Sequence, residues 1–139
     1  MGEVKVEVEL ENTLDSGFAR HGALEMEKVR RFRARLLVDS GAIMLALPQD
    51  YVEALGLDEL GKAVVTYADE RKEERPVAGP VTVRVGNRFA TVNCVVLPPN
   101  AEPLLGQIVL EMTDLLVDCR DQKLIPRPES PFLPELKLK

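Results

Sequence analysis

The sequence predicts an all-β fold, mainly β with one or two short helices, closed into a single small domain. Three observations carry that expectation. Apolar residues recur at period two in several short segments, turn-forming residues separate those segments, and only two short stretches repeat apolar residues at helical spacing. At 139 residues, 45% hydrophobic and 29% charged, the chain suits one globular domain and is too short for two ordinary ones.

Val4, Val6, Val8 and Leu10 alternate with Lys5, Glu7 and Glu9, the pattern of a first strand buried on one face. Residues 11–22 break the alternation with Asn12, Asp15, Ser16, Gly17 and Gly22 and read as a loop. In the next strand Phe32, Ala34 and Leu36 face one way and Arg31, Arg33 and Arg35 the other. Leu37 and Val38 then lead into Asp39-Ser40-Gly41-Ala42. After the apolar run 42–47, Pro48 opens a short helix carrying Tyr51, Val52 and Leu55, with Gly56 as its stop.

Residues 64–85 read as a projecting hairpin whose middle holds Asp69, Glu70, Arg71, Lys72, Glu73, Glu74 and Arg75. Val81, Val83 and Val85 alternate up to the tight-turn pair Gly86-Asn87, and a strand returns over 89–97 until Pro98, Pro99 and Asn100 end it. Residues 107–112 form a second short helix, 115–117 resume strand chemistry, and 123–126 follow after a turn. The division expected is a folded domain over 1–126 and a Pro-rich tail over 127–139, extended along a surface or unstructured, with Pro128, Pro131 and Pro134.

Charge and composition exclude several function classes. With 23 acidic against 18 basic residues and a net charge of −5, the field of the whole molecule does not attract nucleic acid, and no nucleic-acid partner is expected. The run 42–47 is far short of the ~20 apolar residues that cross a bilayer. The alternating start lacks the solid apolar core of a secretion signal, and Val6 stands where a myristoylation signal at Gly2 requires Ser or Thr. No membrane partner is expected. Cys94 and Cys119 resemble neither a disulfide framework nor a zinc knuckle, so reduced thiols in a cytoplasmic protein are the expectation.

Most candidate chemistries fail on residue supply. A Ser-His-Asp triad must use His21, the single histidine, which sits in a loop beside Gly22. One histidine and two separated cysteines are too few for zinc, and no Gly-Lys-Ser/Thr phosphate loop occurs. Arg30, Arg31, Arg33 and Arg35 read as a solvated strand face, and Cys94 as a buried, inert thiol. Asp39 is different, because an ionisable group stands at the end of a strand with apolar residues on both sides. Its plainest role is an Asx-type turn that Gly41 lets bend. Asp15-Ser16-Gly17 repeats the tripeptide without those apolar flanks.

What distinguishes Asp39 is its company. Leu36-Leu37-Val38-Asp39-Ser40-Gly41-Ala42, then Leu47-Pro48, and later Pro103-Leu104-Leu105-Gly106 with Leu110 and the strand 115–118, resemble in order and rough spacing the retropepsin-like aspartic proteases. The resemblance spans about residues 4–126. It implies a closed acid-protease barrel, Asp39 as the catalytic carboxylate, Ser40, Gly41 and Ala42 as the supporting active-site turn, and Leu105 and Gly106 as the structure behind it. It implies no cofactor and no metal, and a peptide or protein as substrate.

Amide hydrolysis needs a base to activate water and an acid to protonate the leaving nitrogen, which two carboxylates sharing one proton supply together. One chain holds one such motif in the right setting. Leu115-Leu116-Val117-Asp118 echoes the segment ending at Asp39, but Cys119-Arg120 follows it where a glycine is needed, so Asp118 is read as opening a hairpin turn. The second carboxylate then comes from a homodimer with Asp39 and its symmetry mate at the axis. The hairpin 64–85 becomes a flap over the substrate, although its charged tip departs from the glycine-rich flaps of the viral enzymes. The competing reading is a catalytically inactive retropepsin-like dimerisation or peptide-binding module.

Overall fold

The computed structural model describes residues 3–138. Gly2, on which the lipid signal turns, and Lys139 at the end of the tail lie outside them. β1 (Lys5–Asn12) pairs antiparallel with β2 (Arg31–Val38), placing Val6 opposite Leu36 and Glu9 opposite Arg33. The period-two pattern is realised as predicted. Val6, Val8, Leu10 and Leu36 are buried, while Glu7 and Glu9 oppose Arg35 and Arg33 on the outer face. Arg33 bonds Glu7 at 2.8 Å and Arg84 bonds Glu11 at 2.9 Å. The Arg33–Glu7 pair is exposed and worth little, whereas Glu11 is buried and is met by both Arg84 and Arg31.

The segment 11–22 is not a loop. It holds α1 (Thr13–Arg20), with Asp15-Ser16-Gly17 inside the helix. Its cause is tertiary as well as local. The Asn12 side chain accepts from the Asp15 amide at 3.0 Å, a cap that satisfies an orphan helix donor. The same side chain donates to the Leu55 carbonyl at 2.8 Å, tying α1 to the end of a distant helix. Asp15 is then clamped by Arg30, whose guanidinium reaches both carboxylate oxygens at 2.8 and 2.9 Å. That hydrogen-bonded guanidinium holds the Asp15 carboxyl below its ordinary value. Pattern reading cannot see a partner fifteen residues away.

With α2 (Gln49–Leu55) and α3 (Gln107–Thr113), the described residues carry three short α-helices where one or two were expected, plus a 3-10 turn at Met26–Lys28. α2 ends at Gly56, whose left-handed φ of 63° is the expected glycine stop. The remaining strands are β3 (Leu45–Pro48), β4 (Asp58–Thr66), β5 (Lys72–Val85), β6 (Arg88–Leu97) and β7 (Leu104–Leu105). They form one sheet in the order β1-β2-β7-β3-β6-β5-β4, and β1 pairs again with β5. The fold is mainly β, and the predicted closure takes this ring-like form.

β4 and the outer half of β5 make a hairpin standing off the ring, with Thr66 opposite Lys72. β8 (Leu115–Asp118) and β9 (Lys123–Pro126) form a separate two-stranded sheet. Inside the ring Leu10, Leu36, Leu45, Leu47, Leu55 and Leu105 are fully buried. Truncating one such leucine to alanine costs about 2–5 kcal/mol, a large share of a small domain's stability. Among the described residues no helix is long and apolar enough to cross a membrane.

Candidate active site

The short strand β7 lies between β2 and β3, parallel to β2 at Leu37 and Leu104 and antiparallel to β3 at Ala46 and Leu104. The chain leaving β2 must therefore pass over β7 before it enters β3, and Asp39 stands at that crossing. Its amide donates to the Leu105 carbonyl at 3.0 Å, and its carbonyl accepts from the Ala42 amide at 3.1 Å. Its carboxylate oxygen Oδ1 accepts from the Gly41 amide at 2.9 Å. This is the Asx turn expected of the tripeptide. It also fixes the carboxylate in place.

Asp39 is half-buried and Ser40 and Gly41 are exposed. Among the described residues the Gly41 amide is the one hydrogen-bond partner of the Asp39 carboxylate, and no cation pairs with it. The other carboxylate oxygen is open to a second group. Among the described residues none supplies it. Asp118 instead accepts from the amides of Arg120 and Asp121, both at 3.1 Å, and so turns β8 into β9.

Gly106 explains how the crossing closes. A Cβ there would lie 2.9 Å from the Ala42 carbonyl oxygen and collide with the Met44 carbonyl. Without a side chain, the start of α3 packs directly on the turn. The Gln107 amide donates to the Ala42 carbonyl at 2.7 Å and the Ile108 amide to the Ile43 carbonyl at 3.0 Å. Residues 39–43 are thereby held from behind by backbone hydrogen bonds. The structure brings Asp39, Ser40, Gly41, Ala42, Leu105 and Gly106 into one assembly.

Beside this turn, Ala46, Val95 and Leu97 form a second apolar cluster with Met44, Val65, Ala101 and Leu104, separate from the main core. Val65 comes from the projecting hairpin, so that hairpin and β3, the strand after the crossing, meet on one apolar surface. Arg75 ties the hairpin base to β6 by donating to the Val96 carbonyl at 2.8 Å. At the tip, the Arg71 guanidinium lies 4.4 Å from the centre of the Tyr67 ring. Cys94 is buried, and burial pushes its thiol up to about 12, which leaves it protonated and inert. Among the described residues no group of three or more His, Cys, Asp or Glu could hold a metal ion.

Sequence reading missed Arg88, Asp114 and the anchoring of the tail they produce. One signal was present. Arg88 shares the inward parity of Ala90, Cys94 and Val96 on β6, where a charged residue is unexpected.

The family model described as gag-polyprotein putative aspartyl protease matches residues 27–112. That interval contains the whole crossing, from β2 to α3. No curated protein matches the chain. The crystal structure of the retroviral protease-like domain of Ddi1 from Leishmania major is 17% identical, with a TM-score of 0.56 over 99% of this chain and 99% of that chain. The likeness shows a shared fold. A retropepsin-like aspartic protease from Rickettsia conorii is 16% identical over 84% of this chain and 88% of that chain, with a TM-score of 0.42.

Proposed function

The chain belongs to the gag-polyprotein putative aspartyl protease family, a retropepsin-like one, and we propose that it is an aspartic endopeptidase whose active site is shared by two identical subunits. The observation that carries this reading is the Asp39 carboxylate, held by the Gly41 amide on one oxygen and unpartnered by any described side chain on the other. A second Asp39, brought up across a two-fold axis, completes the pair.

Two carboxylates about 3 Å apart cannot both ionise, so they hold one proton between them. The ionised member takes a proton from water as the oxygen attacks the peptide carbonyl, and the neutral member hydrogen-bonds the carbonyl oxygen as charge develops there. Proton transfer to the leaving nitrogen then breaks the C–N bond. Ser40 braces the two turns at the axis, and Gly41 and Ala42 let backbone and substrate approach closely. Leu105 and Gly106 hold the turn from behind. The hairpin of β4 and β5 acts as the flap that excludes water. Met44, Val65 and Leu104, half-buried around Ala46, offer apolar surface to substrate side chains flanking the cut.

The inactive dimerisation or peptide-binding module draws on the flap tip, where Asp69, Glu70 and Arg71 stand exposed instead of a mobile glycine run. One experiment separates the two readings. Hydrolysis of a diverse peptide library is followed between pH 3 and 8, for the wild type and for Asp39→Asn. The protease reading predicts a bell-shaped profile, insensitivity to chelators, and a loss of about 10²-fold or more in Asp39→Asn. Saturable peptide binding with no cleavage at any pH contradicts it and favours the module.

A further inference from the structure

Both ends of α3 are bonded to other parts of the chain. At its N-terminus the amides of Gln107 and Ile108 donate to the carbonyls of Ala42 and Ile43, in the turn that carries Asp39. At its C-terminus the carbonyls of Thr113 and Asp114 accept from the Arg88 guanidinium at 3.0 and 2.8 Å. The 7 residues of the helix make about two turns, roughly 10 Å long. So short a helix is not stable alone, and its placement depends on what holds its ends and its buried side, formed by Val109, Leu110 and Thr113. Its first internal bond, from the Leu110 amide to the Gly106 carbonyl, is long at 3.4 Å. The N-terminal turn of α3 therefore takes its direction from its outside partners as much as from its own hydrogen bonds.

Arg88 is only 3% exposed and stands on β6 at the inward parity of Ala90 and Cys94. Its guanidinium also donates to the Ser130 carbonyl, so all three of its partners are carbonyl oxygens. No carboxylate among the described residues pairs with it, and the Asp114 carboxylate is engaged by Arg127, the Ser130 hydroxyl and the Glu135 amide. Its Nε–H is buried with no partner among the described residues. A cation matched so incompletely is destabilising beside an apolar side chain of similar volume, which would fill the same inward site. What the guanidinium does instead is geometric. Its fork reaches two carbonyls at the end of α3 and a third at Ser130 together, from a strand that β3 and β5 hold on either side.

We propose that Arg88 is a positioning residue for the candidate active site: it fixes the C-terminal end of α3 to β6, and α3 in turn sets the Asp39 turn through Gln107 and Ile108. The proposal rests on the shared-carboxylate reading and adds a residue on which the spacing of the pair depends. Arg88 itself makes no bond to residues 39–43. Its effect passes along a short, packed helix that is bonded at both ends. A displacement of about 1 Å at the turn is enough to matter, because two carboxylates must stay close to share a proton. The positive charge also lies at the negative end of the α3 dipole, where it favours the helix over its frayed form.

Two full-length variants test this. Arg88→Lys keeps the charge and loses the fork, and Arg88→Met keeps much of the volume and loses both. For each, kcat and KM on a library peptide that the wild type cleaves are followed from pH 3 to 8, per folded molecule, and exchange of the Gln107 and Ile108 amides is followed by NMR. Positioning predicts kcat lower by about 10–100-fold with KM within about twofold of wild type. It also predicts a narrower bell, because carboxylates that move apart couple less, so the lower apparent pKa rises and the upper one falls. The two amides should exchange at least about tenfold faster. If Arg88→Lys does not fold, Arg88→Met decides by the same readings. A merely structural role lowers the folded fraction and leaves the bell width and the kcat of folded molecules unchanged. That result overturns the positioning role and leaves the protease reading standing. A wild-type chain that cleaves no peptide at any pH overturns the protease reading, and the positioning role with it.

Discussion

The Gln107 amide donates to the Ala42 carbonyl at 2.7 Å, joining two segments sixty-five residues apart in sequence. That bond and its neighbour from Ile108 to Ile43 make α3 the rear support of the turn that carries Asp39. The absence of a side chain at Gly106 permits both. The glycine at position 106 therefore has a steric reason in this chain.

Gly106→Ala should damage site and stability together. Its Cβ meets carbonyl oxygens of Ala42 and Met44 rather than a flexible side chain, so the backbone itself must move. A loss of about 1–3 kcal/mol is expected, as for overpacking of a core. Thermal denaturation should show a melting temperature lower by several degrees, and peptide hydrolysis should fall by more than the folded fraction does.

Asp114 predicts the acid limit of stability. Hydrogen bonds from Arg127 and Ser130 hold its carboxyl well below the ordinary value of 3.8, so the folded state prefers the ionised form. Its contribution is complete above that value and is lost as pH falls below it toward the lowered one. Asp114→Asn should thus melt lower than wild type at pH 6, with the difference shrinking as pH drops below 3.8. A constant difference across pH 2–6 would contradict the assignment.

Thiol chemistry should be split between the two cysteines. Cys119 is exposed at the β8–β9 turn, and Cys94 is buried with its thiol at about 12. Titration of the native protein with an aromatic disulfide reagent should modify Cys119 promptly and Cys94 only on unfolding. Hydrolytic activity should survive modification of Cys119, which a cysteine nucleophile would not allow.

The flap tip should affect substrate binding more than stability. Arg71 stacks over Tyr67 on an exposed turn, a contact worth about 0.5–1 kcal/mol. Tyr67→Ala should leave the melting temperature nearly unchanged and raise KM several-fold, because the flap then orders only on binding. Steady-state kinetics beside thermal denaturation checks both halves.

The strands were legible because one face of each is buried and the other is wet, which period-two alternation records directly. Asp39 was legible because an acid between apolar segments demands a reason. α1 was hidden, since Asn12 and Asp15 look like loop residues until the Asn12 cap and the Arg30 clamp are in place. The anchored tail was hidden for a related reason. Its partners, Arg88 and Asp114, are joined to it by folding, and three prolines without apolar periodicity give no pattern to follow.

Mixed dimers test the central claim, that each site uses Asp39 from two chains, most directly. Wild-type subunits are allowed to exchange with an increasing excess of Asp39→Ala subunits, and peptide hydrolysis is measured per wild-type subunit. A mixed dimer holds one catalytic carboxylate and no shared proton, so activity per wild-type subunit should fall steeply toward zero, while Asp118→Asn alone leaves the rate nearly unchanged. Constant activity per wild-type subunit, with Asp118→Asn inactive, would contradict the shared site and place both carboxylates in one chain.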